Sequence, residues 1–155
     1  MNILILGGDG FIGWPLALFL SQRQHQVKIV DNFSRRKIDD ELGVQSVTPI
    51  LPLAKRLNSW KEHSGKDISY ITLDLATDYA ELRDLLFNSK PDAIIHLAEQ
   101  KSAPYSMKSS KHRRYTVDQN VNATHNLLSA IVECNLDPHI VHIGTMGVYG
   151  YSSIG

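Results

Sequence analysis

A glycine-rich turn near the start of the chain lies between a short apolar run, residues 2–6, and a longer apolar segment, residues 11–24. The first segment predicts a buried strand and the second a helix. Gly7, Gly10 and Gly13 follow the spacing Gly-x-x-Gly-x-x-Gly. After a strand, such glycines permit a tight turn and the close approach of a pyrophosphate, whose charge the helix N-terminus stabilises. A turn that binds nothing is the alternative, but the strand–turn–helix context favours a dinucleotide site.

Strands and helices alternate along the rest of the chain. This order predicts an α/β Rossmann fold, a doubly wound parallel sheet with helices on both faces. Residues 34–66 are polar and contain Pro49 and Pro52, so we expect a long irregular excursion there. In such sheets ligands bind beyond the carboxyl ends of the strands. Further strands are predicted at 27–30, 68–73, 93–97 and 140–143, and further helices at 78–88 and 113–134.

Acidic residues follow the second and third predicted strands. Asp31 lies 18 residues after Gly13, where an acid holds the adenosine ribose hydroxyls. An acid there repels the 2′-phosphate of NADP, so NAD is the expected cofactor. Arg35 and Arg36 leave an alternative open, because they are able either to grip that phosphate or to remain solvated. Asp74 either meets the adenine edge or caps the next helix, and we weigh these two interpretations equally.

Polar residues also follow the fourth and fifth predicted strands. Glu99 and Gln100 are placed to flank the nicotinamide ribose, and Thr145 faces the reactive end of the cofactor unless its hydroxyl is structural. Asn120 is a poor helix former inside a predicted helix and therefore indicates a polar site. The predicted cofactor-binding residues are Gly7, Gly10, Phe11, Ile12, Gly13, Asp31, Asn32, Arg35, Arg36, Asp74, Leu75, Leu97, Ala98, Glu99 and Asn120.

Charge and cysteine content exclude several classes of protein. The 16 basic and 16 acidic residues give zero formal net charge, which argues against nucleic acid as the main partner. The single cysteine, Cys134, allows no internal disulfide and suits a reducing compartment. Neither a leader peptide nor a membrane span is evident, so we expect a cytoplasmic protein. No metal is predicted, because His139 and His142 would point to opposite faces of a strand and His96 reads as a core residue.

These residues together resemble the extended short-chain dehydrogenase/reductase family of NAD-dependent epimerases and dehydratases. The general match rests on the glycine turn, Asp31, Asp74, residues 95–98 and residues 148–150. A closer match is to the sulfolipid branch of this family. It rests on residues 8–10, 13–14, 31–32, 35–36, 42–43, 48–50, 60–61, 65–66, 99–107 and 144–147.

The resemblance implies a reaction and a set of substrate-binding residues. Members of this branch hold NAD tightly and convert UDP-glucose and sulfite into UDP-sulfoquinovose. Oxidation at C4 acidifies the C5 proton, water leaves from C6, sulfite adds there, and the hydride returns. By carry-over, Thr145 hydrogen-bonds the C4 oxygen and Lys101 offers a cation to the anionic sulfite. The implied substrate-binding residues are Gln100, Lys101, Ser102, Thr145 and Met146.

The sequence departs from the family pattern at three points. Lys101 replaces the usual Arg and so loses a bidentate fork, while Val148 replaces a frequent Glu and is shared with sugar epimerases. No tyrosine has Lys four residues later, so the Tyr-x-x-x-Lys pair of the family is missing. We therefore expect residues 1–155 to be a truncated NAD-binding Rossmann domain that lacks the catalytic helix and the substrate domain.

Such a domain is expected to catalyse nothing alone and to form a homodimer, through the helix at 113–134, when complete. Two other functions remain open. One is a different UDP-sugar enzyme of the same family, such as a 4-epimerase or a dehydratase. Among dehydratases, the 4,6-dehydratase type is disfavoured because Met146 and Gly147 replace its Asp-Glu pair. The other is a non-catalytic module that senses NAD or binds a partner.

Overall fold

The protein folds around a five-stranded parallel sheet with strand order β3-β2-β1-β4-β5, in a computed structural model that describes residues 1–145 and residue 150. The strands are β1 (Asn2–Leu6), β2 (Gln26–Asp31), β3 (Ile68–Thr72), β4 (Ala93–His96) and β5 (His139–His142). The helices are α1 (Gly13–Gln22), α2 (Ser34–Leu42), α3 (Leu53–Ser64), α4 (Tyr79–Ser89), α5 (Ala103–Met107), α6 (Ser110–Val117) and α7 (Ala123–Glu133).

The two faces of the sheet bury two separate apolar clusters. Successive side chains of a strand point to opposite faces. Accordingly, Leu4 and Leu6 pack with α4 and α7, whereas Ile3 and Ile5 pack with α1 and α3. Helices therefore cover both faces, which confirms the predicted Rossmann architecture. In the described part of the chain, no helix combines the length and the apolar character that crossing a bilayer requires.

The expectation of an irregular excursion at residues 34–66 is wrong, because this segment contains α2 and α3. Leu53 and Leu57 lie one helical turn apart and are almost fully buried against the sheet, so a narrow apolar stripe is enough to fix α3. Gly43 and Gly65 follow α2 and α3 in the left-handed conformation, with φ of 63° and 70°. That conformation ends a helix at little cost in glycine.

The predicted long helix at 113–134 is also corrected. It begins earlier, at Ser110, and a π-helical turn at Asp118–Asn122 separates α6 from α7. The wider turn carries Gln119, which is buried and hydrogen-bonds Asp74, and Asn120, which hydrogen-bonds Gln100. Such bulges are frequent at functional sites.

Candidate functional site

Close backbone contacts explain the glycines of the turn after β1. Gly7 has φ of 83°, and a Cβ added there would lie 2.8 Å from the backbone carbonyl carbon of Leu97. A Cβ on Gly13 would overlap the carbonyl oxygen of Gly7. Beside this turn, Phe11 is 92% exposed, so the N-terminal end of α1 is open to solvent. The turn is therefore a cradle of bare backbone at an accessible helix N-terminus, which fits a pyrophosphate.

The carboxylate of Asp9, inside the glycine turn, is held by two arginines. Its side chain is only 5% exposed, and its Oδ2 accepts a hydrogen bond from Arg36 Nη2 at 2.6 Å. Its Oδ1 pairs with Arg56 Nη2. The arginines come from α2 and α3, so both helices of the segment that was expected to be irregular are tied to the glycine turn.

Asp31 ends β2 and faces the same turn. Its Oδ2 accepts from the Asp9 backbone N at 2.8 Å and its Oδ1 from the Phe33 backbone N at 2.8 Å. Burial raises the pKa of Asp31, while these two hydrogen bonds and the charge of Arg36 act in the opposite direction. Arg35 instead pairs with Asp39 on the surface of α2.

Asp74, after β3, belongs to a hydrogen-bonded group with Asn32 and Gln119. Its Oδ2 accepts from Asn32 Nδ2 at 2.9 Å, and its Oδ1 accepts from Gln119 Nε2 at 3.0 Å. Its Oδ1 also accepts from the Ala76 backbone N at 2.9 Å, so the carboxylate stabilises the following turn as well. A cavity of about 130 Å³ adjoins this group, lined by Asn32, Ser34, Lys37, Ile38, Glu41, Asp74, Tyr105 and Tyr115.

The loop after β4 is fixed by Asn120. Asn120 Oδ1 accepts from the Gln100 backbone N at 2.7 Å, and Asn120 Nδ2 donates to the Gln100 carbonyl at 3.0 Å. Gln100 Nε2 also donates to Thr116 Oγ1 at 3.0 Å. Ser102 caps α5 by accepting from the Tyr105 backbone N at 3.3 Å. Asn120 thus positions this loop, while Lys101 remains exposed.

Glu41 joins α2 to α5 and α6 over the cavity. Its carboxylate accepts from Tyr105 Oη at 2.8 Å and lies 2.7 Å from His112 Nε2. The hydrogen bonds from His112 and Tyr105 lower the pKa of Glu41. Burial, followed by the contact with Glu41, raises the pKa of Tyr105 to about 12.

His96 is a buried core residue, as the sequence predicts. It is 1% exposed, its Nε2 lies 3.0 Å from Thr124 Oγ1, and burial lowers its pKa to about 4. Because β4 and β5 pair in parallel with His96 opposite His142, the two rings lie 5.1 Å apart. His142 Nε2 also lies 3.2 Å from Glu99 Oε1. Sequence reasoning missed this group of three because it considered His142 only together with His139.

The structure places the predicted site residues at the carboxyl edge of the sheet or in the helices beside it. Thr145 follows β5 at this edge, and Met146 lies outside the described residues. Sequence reasoning missed Asp9 and Arg56, which are 47 positions apart. An acid between the glycines was a visible signal for Asp9, whereas nothing local distinguishes Arg56. Sequence reasoning also missed Glu41, Tyr105, His112 and Gln119, because no local pattern distinguishes them and their partners are distant in sequence.

The parallel sheet and the glycine turn at its carboxyl edge are those of a dinucleotide-binding Rossmann protein, and comparison with known proteins agrees with this class. The chain belongs to the NAD dependent epimerase/dehydratase family, whose model matches residues 3–154. The family resemblance drawn from the sequence is therefore confirmed.

Two similar proteins of known function are UDP-sulfoquinovose synthases. The enzyme of Sulfolobus acidocaldarius is 44% identical over 150 residues, which cover 97% of this chain and 38% of that protein. The chloroplastic enzyme of Spinacia oleracea is 41% identical over 99% of this chain and 32% of that protein. The chain thus spans 38% and 32% of the length of these two relatives.

UDP-glucose 4-epimerases are similar as well. One from Klebsiella pneumoniae is 32% identical over 84% of this chain and 80% of that protein. A solved UDP-glucose 4-epimerase from Stenotrophomonas maltophila, with bound NAD and formylated UDP-arabinopyranose, superposes with a TM-score of 0.73. It is 24% identical and covers 99% of this chain and 39% of that one. At 24% identity, this structural similarity supports the fold alone.

Proposed function

We propose that this chain is the NAD-binding domain of a UDP-sulfoquinovose synthase, which makes UDP-sulfoquinovose from UDP-glucose and sulfite. The observation that carries the proposal is the identity of 44% and 41% to two such synthases over nearly the whole chain. Both exceed the 32% identity to an epimerase, which extends over less of the chain.

The described residues fit NAD. The turn carries no side chain at Gly7, Gly10 or Gly13, and Phe11 beside it is exposed, so a pyrophosphate is able to approach the N-terminal end of α1. Asp31 lies at the end of β2, where its carboxylate accepts the ribose hydroxyls. Asp74 and Leu75 follow β3 at the adenine side. When bound, NAD supplies the capacity to take a hydride from the sugar and to return it.

The proposed substrate residues that the structure describes follow β4 and β5. In the proposed function, Gln100 and Ser102 bind the sugar, Thr145 hydrogen-bonds its C4 oxygen, and Lys101 faces the incoming sulfite. Lys101 is exposed, and an ammonium group stabilises an anion without the fixed geometry of a guanidinium. Met146 completes the proposed set.

Isothermal titration of the purified chain with NAD and with NADP tests the cofactor assignment. We expect measurable binding of NAD and weaker binding of NADP, because Asp31 repels the 2′-phosphate. An NADP dissociation constant at or below that for NAD would contradict the assignment.

Sulfite dependence tests the substrate assignment. The product of the complete gene is incubated with UDP-glucose, with and without sulfite, and the nucleotide sugars are separated by chromatography. A sulfonated product that requires sulfite supports the proposal. Formation of UDP-galactose without sulfite would instead support a UDP-glucose 4-epimerase, the second candidate, which the 32% identical epimerase favours.

The chain alone is expected to show no turnover. None of its tyrosines has Lys four residues later, so the pair that this family uses to take the C4 proton is not among these residues. The measurement is chromatographic separation of the nucleotide sugars after the chain is incubated with NAD, UDP-glucose and sulfite. Steady turnover by the 155-residue chain would overturn this expectation.

A further inference from the structure

We propose that Asp9 sets the preference for NAD over NADP by holding Arg36 away from the 2′-position of the adenosine ribose. The inference rests on the proposed binding of NAD, and it assigns to Asp9 a role in specificity that acts through another residue. Asp9 would therefore be a positioning residue that does not itself contact the cofactor.

The contacts around Asp9 use both oxygens of its carboxylate. Oδ2 accepts from Arg36 at 2.6 Å and Oδ1 pairs with Arg56, while the carboxylate is only 5% exposed. A second contact joins Arg36 Nη2 to the Asp9 carbonyl oxygen at 3.4 Å. Charged hydrogen bonds of this kind, shielded from water, are stronger than exposed ion pairs. Arg36 is thereby bound to the glycine turn.

Arg36 and Asp31 are close neighbours. Arg36 lies on α2, which begins three residues after Asp31, and its positive charge reaches the Asp31 carboxylate. The backbone N of Asp9 donates to Asp31 Oδ2, so Asp9 and Asp31 share one small region. If Arg36 were released from Asp9, its guanidinium would lie beside the acid expected to hold the ribose. A guanidinium is the preferred side chain for binding phosphate.

The charges of this region are balanced as they stand. Asp9 and Asp31 supply two negative charges, and Arg36 and Arg56 supply two positive charges. A 2′-phosphate would then meet Asp31 while Arg36 is already paired. Removal of the Asp9 carboxylate leaves one unbalanced positive charge beside Asp31, the acid expected to hold the adenosine ribose.

The test is the substitution Asp9→Asn, which removes the charge and keeps the shape. The dissociation constants of NAD and NADP are measured for wild type and variant by isothermal titration, and the ratio of the NADP constant to the NAD constant is compared. We expect this ratio to fall by about tenfold or more, since one hydrogen bond between charged groups is worth at least that factor. Within one variant the ratio is insensitive to partial unfolding, because both ligands bind the same folded fraction.

Two further variants isolate the cause. Adding Arg36→Gln to Asp9→Asn should return the ratio toward the wild-type value. Asp40→Asn, an exposed position on the same helix with the same change in charge, should leave the ratio within about twofold of wild type. If Asp40→Asn shifts the ratio as far as Asp9→Asn does, the effect is general electrostatics and the inference fails.

The outcomes are separable from those of the proposed function. A wild-type chain that binds neither dinucleotide overturns both. A wild-type chain that prefers NAD, with an unchanged ratio in Asp9→Asn, overturns only the role of Asp9. Asp9→Ala is a second substitution at the same position. Failure of both Asp9→Asn and Asp9→Ala to fold would show that the residue serves stability and would likewise overturn the inference.

Discussion

Among the glycines that the structure describes, Gly13 is the position where an added side chain would meet the closest contact. A Cβ there would overlap the carbonyl oxygen of Gly7 and approach Gly8 Cα to 2.7 Å, and both are backbone atoms. We expect Gly13→Ala to lower the free energy of unfolding by about 1–3 kcal/mol, because the turn must shift away from α1. The same shift moves the proposed phosphate cradle, so NAD binding should be lost. Urea unfolding and calorimetric titration measure the two effects.

Gly144→Ala is the matched control for stability. An added Cβ at Gly144 has no atom of the described residues within 4 Å, so the free energy of unfolding should change little. If both alanine variants are equally stable, the tight packing of the glycine turn does not contribute to the fold.

His96 makes stability depend on pH. Burial lowers its pKa from 6.5 to about 4, so the unfolded chain binds a proton at a pH where the folded chain does not. The contribution of neutral His96 to the free energy of unfolding is therefore complete above pH 6.5. It is lost as the pH falls toward 4, by up to about 3 kcal/mol. Urea unfolding at several pH values measures the loss.

Replacing His96 by Asn should flatten the curve between pH 6.5 and about 4, since the group that titrates there is gone. Replacing His63, which is exposed on α3, by Gln should leave the slope of the wild type unchanged. An equal flattening in both variants would assign the pH dependence to some other group.

Among the helices, α2 depends on Glu41 for its docking against α5 and α6. The carboxylate accepts from Tyr105 and His112, and these bonds lower its pKa, so the contact is present above the ordinary carboxyl pKa and lost as the pH falls through the lowered value. We expect Glu41→Gln to speed amide hydrogen exchange throughout α2 at neutral pH. Mass spectrometry of deuterated peptides locates the change.

Asp40→Asn removes the same charge one residue earlier, at an exposed position. It should leave exchange in α2 close to that of the wild type. Faster exchange in both variants would mean that net charge, and not the bonds of Glu41, holds this helix.

The elements also show what the sequence was able to predict. All five strands were predicted to within one residue at each end, because buried parallel strands are short apolar runs bounded by breakers. The helices α2 and α3 were missed, because α2 buries no residue and α3 buries only Leu53 and Leu57. A segment held by so few apolar contacts carries little periodic signal, and its ion pairs to Asp9 join residues distant in sequence.

The candidate site likewise contains residues that the sequence predicts and residues that it does not. Glycines and strand-end acids are predictable because a strand, a turn and a helix fix their place. The partners of Asp9 and Asp74 are not, since Arg56 and Gln119 reach them only after the sheet has assembled. Tertiary hydrogen bonds of this kind leave no local pattern.

At the scale of the whole molecule, the sheet is unevenly covered. All four residues of β5 are exposed, whereas all four residues of the adjacent β4 are buried. Ile140 and Val141 are each 38% exposed at this edge of the sheet. An apolar edge strand offers unpaired backbone groups to another chain, and lysine at such an edge opposes pairing.

We therefore expect the chain to self-associate as its concentration rises, and Val141→Lys to suppress this association. Sedimentation velocity over a range of concentrations measures both. Val47→Lys, at a fully exposed position away from the sheet, makes the same change in charge and should leave association unaltered. Equal suppression by the two lysine variants would assign the effect to net charge. A wild-type chain that stays monomeric would show that the β5 edge does not mediate self-association. Suppression by Val141→Lys alone would identify the β5 edge as the surface of self-association.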